Sequence, residues 1–115
     1  MKNIEHGYIF LINFNPSVGH EYQKVRPALI ISSDQVLERS NLVTCIAITG
    51  NTDNLVEDDD IVVKKDAENR LFCDSVIKMH HIASFDKGRV KNYIGKMGHG
   101  VMKKVKEQLK VQFNI

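Results

Sequence analysis

Arg26 stands directly before Pro27, and Pro27 opens the apolar run 28–31. The proline ring biases the preceding residue toward extended backbone, so the sequence predicts a guanidinium fixed at the start of a strand. Such a group grips two oxygens of one phosphate, and its charge favours the extra negative charge of a pentacovalent phosphorus. The competing reading is an ordinary surface ion pair with Glu21. Thr49 closes a second apolar run and precedes Gly50. Its hydroxyl is placed to donate to a phosphate or steady a ribose 2′-hydroxyl, or simply to bond its own turn. His20 is of the residue type suited to acid and base work near neutrality and follows Gly19, where backbone can approach a ligand closely; it is an acid–base candidate or a plain loop histidine. Asp74 lies inside the apolar segment 71–77 beside Ser75, and a carboxylate within a strand needs a partner, structural or catalytic.

These residues must be positioned by short elements. The apolar run 8–14, closed by Asn15-Pro16, predicts a buried strand ended by a turn. Residues 28–31 predict a second strand, and the polar loop between Pro16 and Pro27 is far longer than a hairpin needs. A loop of that length carrying a histidine, a glutamate and an arginine points to function. Ser32-Ser33-Asp34 offers caps for one or two helical turns over 35–39. The β-branched run 42–48 predicts a third strand. Residues 50–60 are polar and acidic, which predicts a solvated loop. Segments 61–64 and 71–79 predict two more strands around a polar turn at 65–69, and 90–94 a short edge strand. Beyond Gly100, Val101, Met102, Val105 and Leu109 recur at helical spacing, with Lys103, Lys104, Lys106 and Lys110 largely outside that stripe. Short strands with one terminal helix predict a mainly β fold, a small antiparallel barrel or half-barrel.

The chain has 115 residues, which suits one domain over 1–115 with a single real core. No secretory leader or bilayer-length apolar stretch is visible, so a soluble cytoplasmic protein is expected. The two cysteines, Cys45 and Cys73, are widely separated and are expected to behave as small buried hydrophobes. His80 and His81 are adjacent, which on a strand sends them to opposite faces and argues against a shared metal. From Asp86 onward eight basic residues stand against two acidic ones. That basic third suits nucleic acid or an acidic polypeptide, or is the solvated face of a helix.

Gly7-Tyr8-Ile9, Asn15-Pro16, Gly19-His20-Glu21, Arg26-Pro27-Ala28-Leu29-Ile30, Ala47-Ile48-Thr49 and Cys73-Asp74-Ser75-Val76 occur in this order. In that ordered set, and in 82–89 and the closing helix, the chain resembles the MazF/PemK family of toxin endoribonucleases. The resemblance implies a homodimeric SH3-like barrel from a type II toxin–antitoxin pair. It also implies cleavage of single-stranded RNA at a short sequence without metal or cofactor. The ribose 2′-hydroxyl attacks its own phosphodiester, leaving a 2′,3′-cyclic phosphate and a 5′-hydroxyl. The partner implied is an antitoxin with an acidic, disordered binding segment that folds onto the toxin.

The resemblance also assigns roles. In one part of the family the catalytic pair corresponds to Arg26, as phosphate stabiliser and proton donor, and Thr49, which positions the scissile group. Another branch credits a histidine, an arginine and an aspartate; His20 and Asp74 fit, but Phe72 stands where that arginine is expected. Arg70 would share the face of Phe72 and Asp74 on a regular strand and so compensate. Gly19, Glu21, Lys24 and Ser75 are the residues expected to contact RNA or to orient the catalytic groups. A second function is compatible with the same barrel, a non-catalytic toxin module that inhibits DNA gyrase.

Overall fold

A computed structural model describes residues 2–14, 25–50 and 57–115. Six strands form one antiparallel sheet: β1 (Tyr8–Asn13), β2 (Val25–Ile30), β3 (Leu42–Thr49), β4 (Ile61–Val63), β5 (Ser75–Asp86) and β6 (Val90–Lys96). Their spatial order is β4-β5-β3-β2-β1-β6. A short helix, α1 (Asp34–Arg39), joins β2 to β3, and α2 (His99–Phe113) follows β6. The mainly β fold with a terminal helix is therefore as expected, with β4 and β6 as the sheet's two edges.

The sheet does not close by strand pairing, yet its edges are brought together. The turn at 66–70, which follows β4, lies against β6: Lys96 N–H donates to Glu68 O at 3.0 Å. That turn is wired internally by two side chains. Asp66 Oδ1 accepts from the Glu68 and Asn69 N–H groups. Buried Asn69 accepts through Oδ1 from Asp66 and Leu71 N–H and donates through Nδ2 to Lys64 O. Both polar side-chain atoms of Asn69 thus find partners, as a buried amide must. Opposite it, a Cβ placed on Gly95 would fall 2.3 Å from Asn69 O, so β6 approaches this closely only because residue 95 has no side chain.

Two apolar clusters occupy the sheet's faces. The first gathers Ile9, Leu29, Ile46, Ile48, Val63 and Ile77 under Met102 and Val105 of α2. Val101 and Leu109 pack partly against it, and Lys103, Lys104, Lys106 and Lys110 are exposed, so the helical stripe falls as predicted. Burying Met102 and Val105 is worth roughly 2 kcal/mol each. That outweighs the marginal stability of a helix this short in isolation. The second cluster, on the other face, comprises Phe10, Ile12, Ala28, Ile30, Val43, Cys45 and Val90, with Leu37 from α1. Ser33 caps α1 by accepting from Val36 N–H at 3.2 Å, one of the caps read from sequence.

Three expectations are corrected. The strand expected at 71–79 begins only at Ser75 and runs on to Asp86, so Asp74 is not inside a strand. Arg70 adopts φ +55° within the preceding turn and cannot share a strand face with Phe72 and Asp74. Phe72 itself is 86% exposed. Cys73 is exposed rather than buried, whereas Cys45 is buried and its thiol is pushed up to about 12 by desolvation.

Gly95→Ala should cost about 2 kcal/mol or more, the scale of forced overpacking. Urea unfolding monitored by circular dichroism should show a lower midpoint with an unchanged slope.

Candidate functional site

The β2–β3 ladder pairs Ala28 with Ala47, Leu29 with Ile46 and Ile30 with Cys45. Carried two residues further, this register sets Arg26 opposite Thr49, and directly opposed residues of an antiparallel pair project from the same face. Arg26 also stands opposite Ile12 of β1, and Thr49 opposite Val76 of β5. Ile12, Arg26, Thr49 and Val76 therefore make one row across four strands. Pro27 has no N–H to give a ladder, and pairing with β3 begins only at Ala28. Both Arg26 and Thr49 are half-buried. Among the described residues no carboxylate pairs with Arg26.

The third component approaches from the start of β5. Cys73 Sγ lies 3.8 Å from Gly50 O, and a Cβ on Gly50 would meet that sulfur at 2.8 Å. The residue after Thr49 is thus a glycine because segment 73–75 passes against it. Asp74 is exposed and accepts from Lys65 N–H through Oδ1 at 3.0 Å, which is the partner its carboxylate required. Ser75 is 4% exposed and its hydroxyl donates to Cys73 O at 2.8 Å, so it shapes this turn from within. Arg26, Thr49, Asp74 and Ser75 consequently converge on one end of the sheet. The chain leaves β1 at Asn13 and re-enters β2 at Val25, a paired couple at that same end. Gly19, His20, Glu21 and Lys24 belong to the connection between them and lie outside the described residues, as does 51–56.

A buried ion pair fixes the chain that returns toward β4. Lys78 Nζ reaches Asp60 Oδ2 at 2.6 Å, with the Asp60 side chain 1% exposed. Burial alone would push the Asp60 carboxyl up. The Lys78 ammonium and the N–H groups of Glu57 and Met79 overcome this and hold it below the usual carboxylate range. Lys78, hydrogen-bonded to Asp60, is raised in turn. Lone polar residues in an apolar strand were the available signal: Lys78 falls between Ile77 and Met79, and an acidic partner was required of it. His80 and His81 lie on the irregular stretch of β5 between its paired segments, and His80 Nε2 contacts Asp59 at 2.9 Å.

This end of the sheet can bind and polarise a phosphodiester. The Arg26 guanidinium and the Thr49 hydroxyl belong to the same end of two neighbouring strands, with the Asp74 carboxylate at the margin. That combination suits holding an anion in a fixed orientation during displacement at phosphorus.

Residues 5–113 match a family described as the PemK-like, MazF-like toxin of type II toxin–antitoxin systems. An endoribonuclease MazF of Staphylococcus saprophyticus is 28% identical over 109 residues, covering 95% of this chain and 90% of that protein. The fold is shared with the crystal structure of MazF from Deinococcus radiodurans: TM-score 0.77, 20% identity, 97% of each chain covered. A mycobacterial endoribonuclease in complex with its cognate antitoxin gives TM-score 0.77 at 14% identity, covering 98% of this chain and 97% of that one.

The depressed Asp60 carboxyl contributes stability that is present above the ordinary carboxylate range and is lost as pH falls through its folded value. Asp60→Asn should therefore lower stability by about 2 kcal/mol at neutral pH, the scale of hydrogen bonds to a charged group. It should also flatten the acid limb of thermal stability, measured by melting from about pH 7 down to about pH 2, which reaches below the ordinary carboxylate value.

Proposed function

The chain belongs to the PemK-like, MazF-like toxins of type II toxin–antitoxin systems, and from that premise we propose that it is an endoribonuclease cutting single-stranded RNA, with Arg26 and Thr49 at the reacting phosphate. The observation that supports this most directly is the β2–β3 register, which aligns those two residues across neighbouring strands on one face. In this reading the 2′-oxygen of the ribose forms a bond to phosphorus while the bond from phosphorus to the 5′-oxygen breaks. The products are a 2′,3′-cyclic phosphate and a 5′-hydroxyl. The nucleophile comes from the substrate, so the reaction calls for no metal-bound water.

Arg26 grips the non-bridging oxygens and offsets the dianionic phosphorane. A guanidinium keeps its proton throughout the physiological range, so its contribution is electrostatic, and the proton-donor role implied by the resemblance passes to other groups. Thr49 orients the phosphate or the 2′-hydroxyl. His20 and Asp74 exchange the two protons, one taken from the 2′-hydroxyl and one given to the 5′-oxygen. Gly19, Glu21 and Lys24 contact the RNA, and Ser75 acts through the turn that carries Asp74.

The relative solved with its cognate antitoxin supports a like arrangement here. The toxin works as a homodimer of single domains spanning 1–115, and an antitoxin with an acidic, disordered segment folds over it and occludes the RNA. Among the described residues no helix is long and apolar enough to cross a membrane, and in this reading the toxin acts on RNA in the cytoplasm.

Purified protein incubated with a long RNA in EDTA should generate fragments bearing 5′-hydroxyl ends. Arg26→Ala should slow cleavage by about 10²-fold or more, the scale for losing a transition-state donor. Cleavage at the parental rate in a folded Arg26→Ala protein would remove Arg26 from the chemistry. No cleavage by the parental protein, together with blocked plasmid supercoiling by gyrase, would instead establish the non-catalytic module.

A further inference from the structure

On the face that carries Arg26, the β1–β6 corner presents a cleft of about 420 Å³ lined by Lys2, Phe10, Val90, Lys91, Asn92 and Tyr93. The strand register fixes its relation to the candidate site. Ile12, opposite Arg26 on β1, is opposite Val90 on β6, while Phe10, opposite Ala28, is opposite Tyr93. Tyr93 is therefore two strands across from Arg26 and one side-chain row along. At roughly 4.8 Å between strands and 6.7 Å per row on a face, that is a separation of roughly 12 Å.

The Tyr93 ring is held from its flanks. It meets Tyr8 at 5.3 Å and Phe10 at 5.5 Å between centroids, with interplanar angles of 65° and 70°. These edge-to-face contacts set the ring's orientation. The Lys2 ammonium lies over the ring at 5.0 Å from its centroid and also over Tyr8 at 5.6 Å. Lys91 and Asn92 beside it are exposed. Among its described lining residues the cleft holds two ammonium groups and no carboxylate. A pre-oriented aromatic ring with the Lys2 ammonium over it, and with Lys91 and an amide lining the same cleft, is a combination that can take an unpaired base with its phosphate. The ring stacks the base, the lysines pair with the phosphate and the amide meets the base edge.

We propose that this corner is a nucleotide subsite, in which one unpaired base of the RNA flanking the scissile phosphate stacks on Tyr93 and its backbone phosphate pairs with Lys2 and Lys91. This inference rests on the RNA-cleaving reading of the Arg26 site. It assigns Tyr93 to substrate binding and leaves the chemical step to Arg26 and Thr49, one row away.

The test compares two oligonucleotides built around a cut mapped by 5′-end sequencing. One extends several nucleotides to either side, and the other is trimmed close to the cut. Cleavage of the long one by the parental protein establishes the RNA-cleaving reading first, independently of the corner. Tyr93→Leu should then raise KM for the long oligonucleotide about tenfold, the scale of losing one base–aromatic stack. Its kcat should hold, and the trimmed substrate should be indifferent to the change. Tyr93→Phe should restore the parental KM, because stacking needs the ring and not the hydroxyl. Lys91→Ala should reduce the salt dependence of KM, as loss of one phosphate contact does. Lys104→Ala on the exposed face of α2 serves as control. Equal KM for parental and Tyr93→Leu protein on the long substrate would overturn the proposal. So would a fall in both substrates accompanied by dissociation of the dimer on gel filtration, which would make the corner a contact between copies. A change confined to antitoxin affinity would overturn it as well.

Discussion

The drawing together of the sheet's two edges rests on one contact, between the turn at 66–70 and β6. Without it the six strands form an open ribbon whose edges, β4 and β6, expose unpaired N–H and C=O groups. The Lys96–Glu68 hydrogen bond and the seating of Gly95 on Asn69 fold that ribbon toward closure. The consequence reaches both ends of the chain. Met97 N–H bonds Gly7 O directly after the contact, and Gly98 then starts α2 over the first cluster. Lys65, the residue just before that turn, holds Asp74 through its N–H. A structural device on one edge thereby sets the attitude of a carboxylate at the candidate site.

The interplay of backbone and side chain explains which parts were legible in the sequence. Arg26 and Thr49 were readable because their signals are local: a proline after one, a glycine after the other, and branched apolar runs that leave little choice but strand. Their juxtaposition was not local, since it depends on a register that only pairing fixes. Asp74 was misplaced for an instructive reason. Leu71, Phe72 and Cys73 look like the beginning of a strand, but Asn69 captures the backbone ahead of them and Arg70 turns into the left-handed region. Side-chain capture of backbone is a competition that hydrophobic pattern does not register. Phe72, which apolar patterning would bury, points to solvent.

Electrostatics divides along similar lines. The basic residues of α2 are an exposed helix face and do little for the core, whereas the consequential charges are few and enclosed. Asp60 and Lys78 form a desolvated pair whose hydrogen bonds are completed by two backbone N–H groups. Satisfying the remaining acceptor sites is what makes burial of such a pair tolerable. Arg26, half-buried at a strand end, keeps enough access to meet an anionic substrate while retaining a rigid base.

The pairing of β1 with β6 also bears on biogenesis. The strands carrying Arg26 and Thr49 are made early, yet β1 meets its second neighbour only when Val90–Lys96 exists. Contacts of such large sequence separation form late and slowly, because a long loop must close before they return any energy. During synthesis the β1–β6 pair waits until Lys96 has emerged. Arg26 and Thr49 are thus synthesised well before the pairing that completes the sheet around them.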